Sequence, residues 1–161
     1  MSAIEDRLAE LGLQLPAVTA PVAAYVPATV DGDLVWTSGQ LPFVDGVLAA
    51  TGKVGAGSEL VSPELVSPER AAELARICAL NALAAVKSAV GDLDRVARVV
   101  KVVGFVASDP SFTGQPGVVN GASLLLQQVL GDAGVHARSA VGVAVLPLDS
   151  PVEVELVARL R

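Results

Sequence analysis

Aromatic side chains are scarce in this sequence. Only 3% of its 161 residues are Phe, Trp or Tyr, with one tryptophan, Trp36, and one tyrosine, Tyr25. A core must therefore be filled by Ala, Val and Leu, which bring the apolar fraction to 52% and the mean hydropathy to +0.59. A single cysteine, Cys78, excludes an internal disulfide, and with a single histidine, His136, a Cys/His zinc site lacks its ligand set. Neither a metal centre nor a redox role is expected, and no cofactor. Basic runs are missing as well: 11 Lys and Arg stand against 17 Asp and Glu, a net charge of −6. Such a chain repels a phosphate backbone, so nucleic-acid binding is not expected. Long hydrophobic runs are absent too. The most apolar one, I-C-A-L-N-A-L-A-A-V, is interrupted by Asn81 and flanked by Arg76 and Lys87. At about ten residues it is too short to span a bilayer. The opening M-S-A-I-E-D-R-L lacks the basic and apolar parts of a secretory signal, which places the expected location in the cytoplasm.

The length suits one ordinary domain over residues 1–161, with an appended N-terminal helix and link at 1–20 and the core at 21–161. The apolar content exceeds what a monomer of this size hides, which predicts a buried subunit interface. Ser2 and Glu5 have capping-box spacing ahead of Leu8 and Leu11, and Gly12 closes a short amphipathic helix. Pro16 and Pro21 bound a link. A-Y-V-P-A-T-V and D-L-V-W-T-S-G-Q, joined at Asp31-Gly32, read as a hairpin, and F-V-D-G-V-L as a shorter one. L-V-S-P-E then occurs twice in tandem, a loop extension whose second copy supplies a helix start with Ser67 as N-cap and Pro68 at the first helical position. From Pro68 to Val90 the helix is apolar nearly all round and predicted to be largely buried, Cys78 included, with Glu69, Glu73, Arg76 and Lys87 on its wet stripe. Gly91 stops it, and R-V-A-R-V-V-K-V-V-G-F-V reads as a strand. A second helix carries Val118, Val119, Ala122, Leu125, Leu126 and Val129 at helical spacing, and two strands close the chain. The fold class is α+β: a mixed, mainly antiparallel sheet with two main helices on one face.

Strand alternation puts Arg138, Ala140, Gly142 and Ala144 on one face and Ser139, Val141, Val143 and Val145 on the other. The valine face reads as core. The arginine face is then a flat strip on which a helix, another subunit or a ligand can come close. In P-V-E-V-E-L-V, Val152, Val154 and Leu156 are the core face, leaving Glu153 and Glu155 opposite. A guanidinium facing that carboxylate pair makes either a structural ion pair or an anion site. His136 reads as a solvated side chain where its strand starts rather than as a general base, and Trp36 and Phe105 as core or interface anchors.

A-R-S-A-V-G-V-A-V-L-P followed by V-E-V-E, with A-Y-V-P and T-S-G-Q-L-P upstream, resembles the reactive-intermediate deaminase (Rid) family, whose best-known branch is RidA. The buried-helix segment N-A-L-A-A-V-K-S-A-V-G-D-L-D-R-V and the strand F-V-A-S-D extend the resemblance, which runs from about Pro21 to Leu160. It implies a chorismate-mutase-like fold, a homotrimer with a site in each cleft between subunits, and 2-imino or 2-oxo acids as small-molecule partners. It also implies a reaction: hydrolysis of 2-imino acids or their enamine tautomers to 2-oxo acids and ammonia. Carried over by position, Arg138 holds the substrate carboxylate and Glu153 positions the attacking water. Tyr25, Ser38, Gly39 and Asn120 border the substrate. The chain departs from the RidA branch at Ala140, where cysteine is common, at Gly142, and in its N-terminal helix and duplicated loop, which places it in a longer branch. Two other functions are open at this level: a non-catalytic 2-oxo-acid binder, and the endoribonuclease activity attached to the family by name, which the charge and the lone histidine oppose.

Overall fold

A computed structural model of the chain describes residues 2–18, 24–55 and 65–161. Pro21 and the first L-V-S-P-E copy lie outside the described residues. The sheet is built from β1 (Ala28–Asp31), β2 (Leu34–Thr37), β5 (Val96–Ala107), β6 (Ala137–Val143) and β7 (Val152–Leu160), in the order β1-β2-β7-β5-β6. The pairings are antiparallel except β5 with β6, which runs parallel because α3 (Gln115–Leu130) carries the chain back between them. A two-stranded ribbon, β3 (Phe43–Val44) with β4 (Val47–Leu48), matches the expected second hairpin. The first hairpin is shorter than A-Y-V-P-A-T-V suggests, because Tyr25 to Pro27 precede the ladder.

The long helix α2 (Pro68–Val90) begins as its sequence dictates. Ser67 Oγ accepts from the Arg70 N–H at 3.2 Å, and Gly91, at φ 85°, takes the left-handed turn that ends it. Cys78 is fully buried within it, and its wet residues Glu69, Arg70 and Glu73 face outward. Helices α2 and α3 lie side by side on one face of the sheet, where Val35, Val102, Val106, Val152, Val154 and Ala158 meet them. Glycines set how closely these layers approach. A Cβ on Gly104 would stand 2.4 Å from Val119 of α3, and one on Gly121 only 1.8 Å from the Ala72 carbonyl of α2.

The N-terminal helix α1 (Ala3–Glu10) is bound to the core and is not a mere appendage. Leu8 is buried, and the Ala3 and Ile4 N–H groups both donate to the Asp94 carboxylate, at 2.8 and 3.0 Å. Ser2 caps it by accepting from Glu5 N, while the Glu5 carboxylate pairs with Lys87 of α2. Two bonded amides at a helix start hold Asp94 below the usual carboxylate range. No helix among the described residues is long and apolar enough to cross a membrane.

Candidate functional site

The register assigns a face to the candidates on β6 and β7. Arg138 is paired with Val102, Ala140 with Gly104, and Gly142 with Val106, all on the helix side of β5. The valine face of β6 is therefore not core. Val141 is 43% exposed on the outer face of the sheet, and Val145 lies beyond the strand, 69% exposed. The expectation inverted the two faces because β6 is an edge strand over α3. Its small residues make room for the helix, so the side chains that look apolar turn outward. The flat strip is occupied from within the chain: Gln115 of α3 sits so close over Gly142 that a Cβ there would meet its Nε2 at 2.8 Å.

Arg138 reaches α3 and is held there. One Nη1 donates to Asn120 Oδ1 at 2.8 Å and to Ser123 Oγ at 3.2 Å, and Nη2 donates to the Pro116 carbonyl at 3.1 Å. Three of the five guanidinium N–H donors are thereby satisfied, and Nε–H with the second Nη2–H has no acceptor among the described residues. Those two N–H groups are donors enough to take a carboxylate. Behind it, Ser123 Oγ is 3.0 Å from His136 Nε2, and His136 Nδ1 is 2.6 Å from the Gly134 carbonyl. Burial, and secondarily the Arg138 charge, pushes the imidazole pKa down, with the Gly134 contact acting in the opposite sense.

The second group lies on the outer face. Gln40 pairs with Val154 in both directions, at 2.8 and 3.0 Å, and Gly39 lets the β2 extension cross close over β7. The Glu153 carboxyl packs directly on Gly39, where a Cβ would fall 1.7 Å from its Oε1. Ser38 donates its hydroxyl to the Val26 carbonyl at 2.6 Å, which ties down the backbone next to Tyr25, itself 48% exposed. Burial first, and the neighbouring Glu155 charge second, raise the Glu153 pKa. Lys101 does not neutralise the pair by hydrogen bonding; its ammonium donates to Ser139 Oγ at 2.9 Å.

Structure thus brings Arg138 to Asn120 and Gly39 to Glu153, while the Ser38 hydroxyl holds the segment that carries Tyr25. It does not bring Arg138 to Glu153 or Glu155 within one chain, because β7 turns both acids to the outer face. Sequence reasoning missed Ser123 and read His136 as merely solvated. The signal was available: His136 stands two residues before Arg138, the spacing that shares a side in extended chain, and Asn120 and Ser123 are one helical turn apart.

Comparison with known proteins agrees with this architecture. The family described as "YjgF/chorismate_mutase-like, putative endoribonuclease" matches residues 5–160. Protein TCP17 of Trypanosoma cruzi is 46% identical over 159 residues, 98% of this chain and 94% of its own. The crystal structure of Atu1372, a protein of unknown function from Agrobacterium tumefaciens, is 46% identical with a TM-score of 0.86, covering 98% of this chain and 93% of that one. A Shewanella oneidensis MR-1 protein solved as a "putative endoribonuclease" is 34% identical with a TM-score of 0.89, covering 98% and 99%. A sheet in this order under two helices, a match along nearly the whole chain and the A-R-S and V-E-V-E strands together make the chain a RidA-like member of the YjgF/chorismate-mutase-like family.

Proposed function

We propose that this chain is an imine/enamine deaminase, hydrolysing reactive 2-imino acids to 2-oxo acids and ammonia in clefts between the copies of a homotrimer. The observation that carries the reading is the fixed guanidinium of Arg138, held by three partners with its Nε–H and one Nη2–H unpaired among the described residues. A 2-imino acid has a carboxylate directly beside its electrophilic C=N carbon. Anchoring that carboxylate on a planar fork fixes the carbon within reach of a single water. Water adds to the carbon, the C–N bond breaks, and one imine plus one water gives one 2-oxo acid plus one ammonia. A carboxyl with a raised pKa suits the proton traffic, since Glu153 can take a proton from the adding water and return it to the departing nitrogen.

Arg138 and Glu153 point away from each other across one sheet, so the reading requires Arg138 and Asn120 from one copy to meet Tyr25, Ser38, Gly39 and Glu153 from another. The outer face, which presents Trp36 and Val141 to solvent, is apolar enough to be covered by such a copy. The test is the rate of 2-iminobutyrate decay in a coupled dehydratase assay with semicarbazide trapping, wild type beside Arg138→Ala. Decay accelerated by the wild type and not by the variant is expected, and unchanged trapping across several amino-acid precursors overturns the reading.

The same opposite-face placement favours a second reading, a non-catalytic 2-oxo-acid binder that uses Arg138 alone. Binding of 2-oxobutyrate without turnover of any imine selects it. The ribonuclease activity named for relatives would be selected instead by RNA cleavage that Arg138→Ala abolishes.

A further inference from the structure

We propose that His136 is a positioning residue for the Arg138 anion site and acts through Ser123. The inference rests on the reading of Arg138 as a carboxylate anchor and adds what holds the anchor in place.

The hydrogen-bond directions follow from the partners. The Gly134 carbonyl can only accept, so the proton of a neutral His136 must sit on Nδ1, which lies 2.6 Å away. Nε2 is then a bare acceptor, and Ser123 Oγ, 3.0 Å distant, must donate to it. A serine hydroxyl has one proton. Once that proton is committed to the imidazole, both Ser123 lone pairs are left for Arg138 Nη1, at 3.2 Å. The chain therefore has one polarity: Arg138 donates to Ser123, Ser123 to His136, and His136 to the Gly134 carbonyl. With the 2.8 Å bond to Asn120 Oδ1, this fixes both Nη1 protons and hence the plane of the guanidinium.

Ser123 is 8% exposed and His136 half-buried, so water does not readily substitute for either contact. Arg138 on β6 is the charged group that bears on the imidazole; from β5, Arg98 reaches only the neighbouring Val135 carbonyl, at 3.5 Å. Burial and that guanidinium both favour the neutral ring that the hydrogen-bond chain needs. Asn120, Ser123 and His136 thus do for Arg138 what a supporting shell does for any binding group: they remove the rotamers in which its fork points elsewhere.

The experiment uses the full chain at pH 8 and two readouts. Nitrogen-15 NMR of His136 is expected to show the Nδ1–H tautomer, and the Nη1 protons of Arg138 to exchange slowly with solvent in the wild type and quickly in Ser123→Ala and His136→Leu. Calorimetric titration with 2-oxobutyrate is expected to give a Kd roughly fivefold weaker in those two variants, the usual net worth of one lost hydrogen bond. His136→Gln, whose amide oxygen can accept where Nε2 does, should recover most of the affinity. In the imine assay the loss should fall on KM, with kcat nearly kept, because the carboxylate is held equally before and during reaction. An Nε2–H tautomer, or wild-type affinity and Nη1 protection in His136→Leu, overturns the proposal whatever Ser123→Ala does. If His136→Leu does not fold, His136→Ala takes its place, read by the same two measurements. Failure of the parent reading looks different: the wild type does not bind 2-oxobutyrate, or binds it as well after Arg138→Ala, whereas the tautomer and exchange measurements still judge the positioning role without any ligand.

Discussion

Arg138 and Glu153 occupy opposite faces of one sheet, with β5 lying between their strands. A guanidinium committed to α3 cannot swing around an edge strand to reach a carboxyl packed on Gly39, so a reaction that uses both groups draws them from two chains. Mixing variants tests this directly. Arg138→Ala and Glu153→Gln are each expected to be inactive alone, and co-refolding them in equal amounts is expected to restore about a quarter of wild-type imine hydrolysis, since a random trimer leaves one cleft in four with both groups intact. Co-refolded trimers with no activity would mean that the two residues do not work across an interface.

Gly39 separates function from folding more sharply. A methyl group at that position would fall 1.7 Å from Glu153 Oε1, 2.6 Å from its Cδ and 3.0 Å from its Cγ, so the Glu153 side chain, but no backbone, has to move to admit it. Gly39→Ala should therefore fold with nearly the wild-type melting temperature and lose at least about tenfold in kcat/KM, the scale on which displaced acid–base groups act. A variant with full activity would show that the Glu153 carboxyl need not rest where it does.

Glu153 also predicts a pH dependence of stability. Its folded-state pKa is raised, so the native state holds this proton more tightly than the unfolded chain does. The resulting stabilisation is fully present below the ordinary value of 4.5 and is lost as pH rises through the folded-state value. At neutral pH the ionised carboxylate is consequently a cost, increased by Glu155 beside it. Glu153→Gln is expected to melt higher than wild type at pH 7, with the difference closing in acid below that range. Thermal denaturation across pH checks it, and a variant that melts lower than wild type at pH 7 contradicts it.

The order of elements was legible wherever a local rule decides. Ser67-Pro68 and Gly91 delimit α2 because caps are local chemistry, and the valines of β5 declare a strand by themselves. The sidedness of β6 was not legible. Alternation shows which residues share a face, but which face is inward depends on what packs there, and here Ala140 and Gly142 lie under α3 while Val141 stands outside. The same limit hid the partition of the candidate site. Arg138 with Asn120, and Ser38 and Gly39 with Glu153, were named as one constellation, yet the register sets them on two faces. His136 was undervalued because its partners, Ser123 and the Gly134 carbonyl, come from a different element and from the turn before it.

The outward-facing apolar side chains supply the last prediction. Trp36 is 47% exposed, and on the register Val157, Val103, Phe105 and Val141 share its side of the sheet. A shallow depression of about 100 Å³ opens there between Trp36, Lys101, Val103 and Glu155. In a chain this poor in aromatics, an exposed indole beside a depression of that kind is the feature an interface core would use. Trp36→Glu removes the indole and sets in its place a charged group that must be desolvated when copies come together there, which opposes association. Sedimentation is expected to show a trimer for the wild type and a shift to monomer for the variant. Imine hydrolysis should fall with it and recover as protein concentration rises, because mass action rebuilds the clefts without restoring any side chain. A monomeric variant that kept full activity would show that one chain suffices, and Arg138 and Glu153 could not then be partners in the reaction.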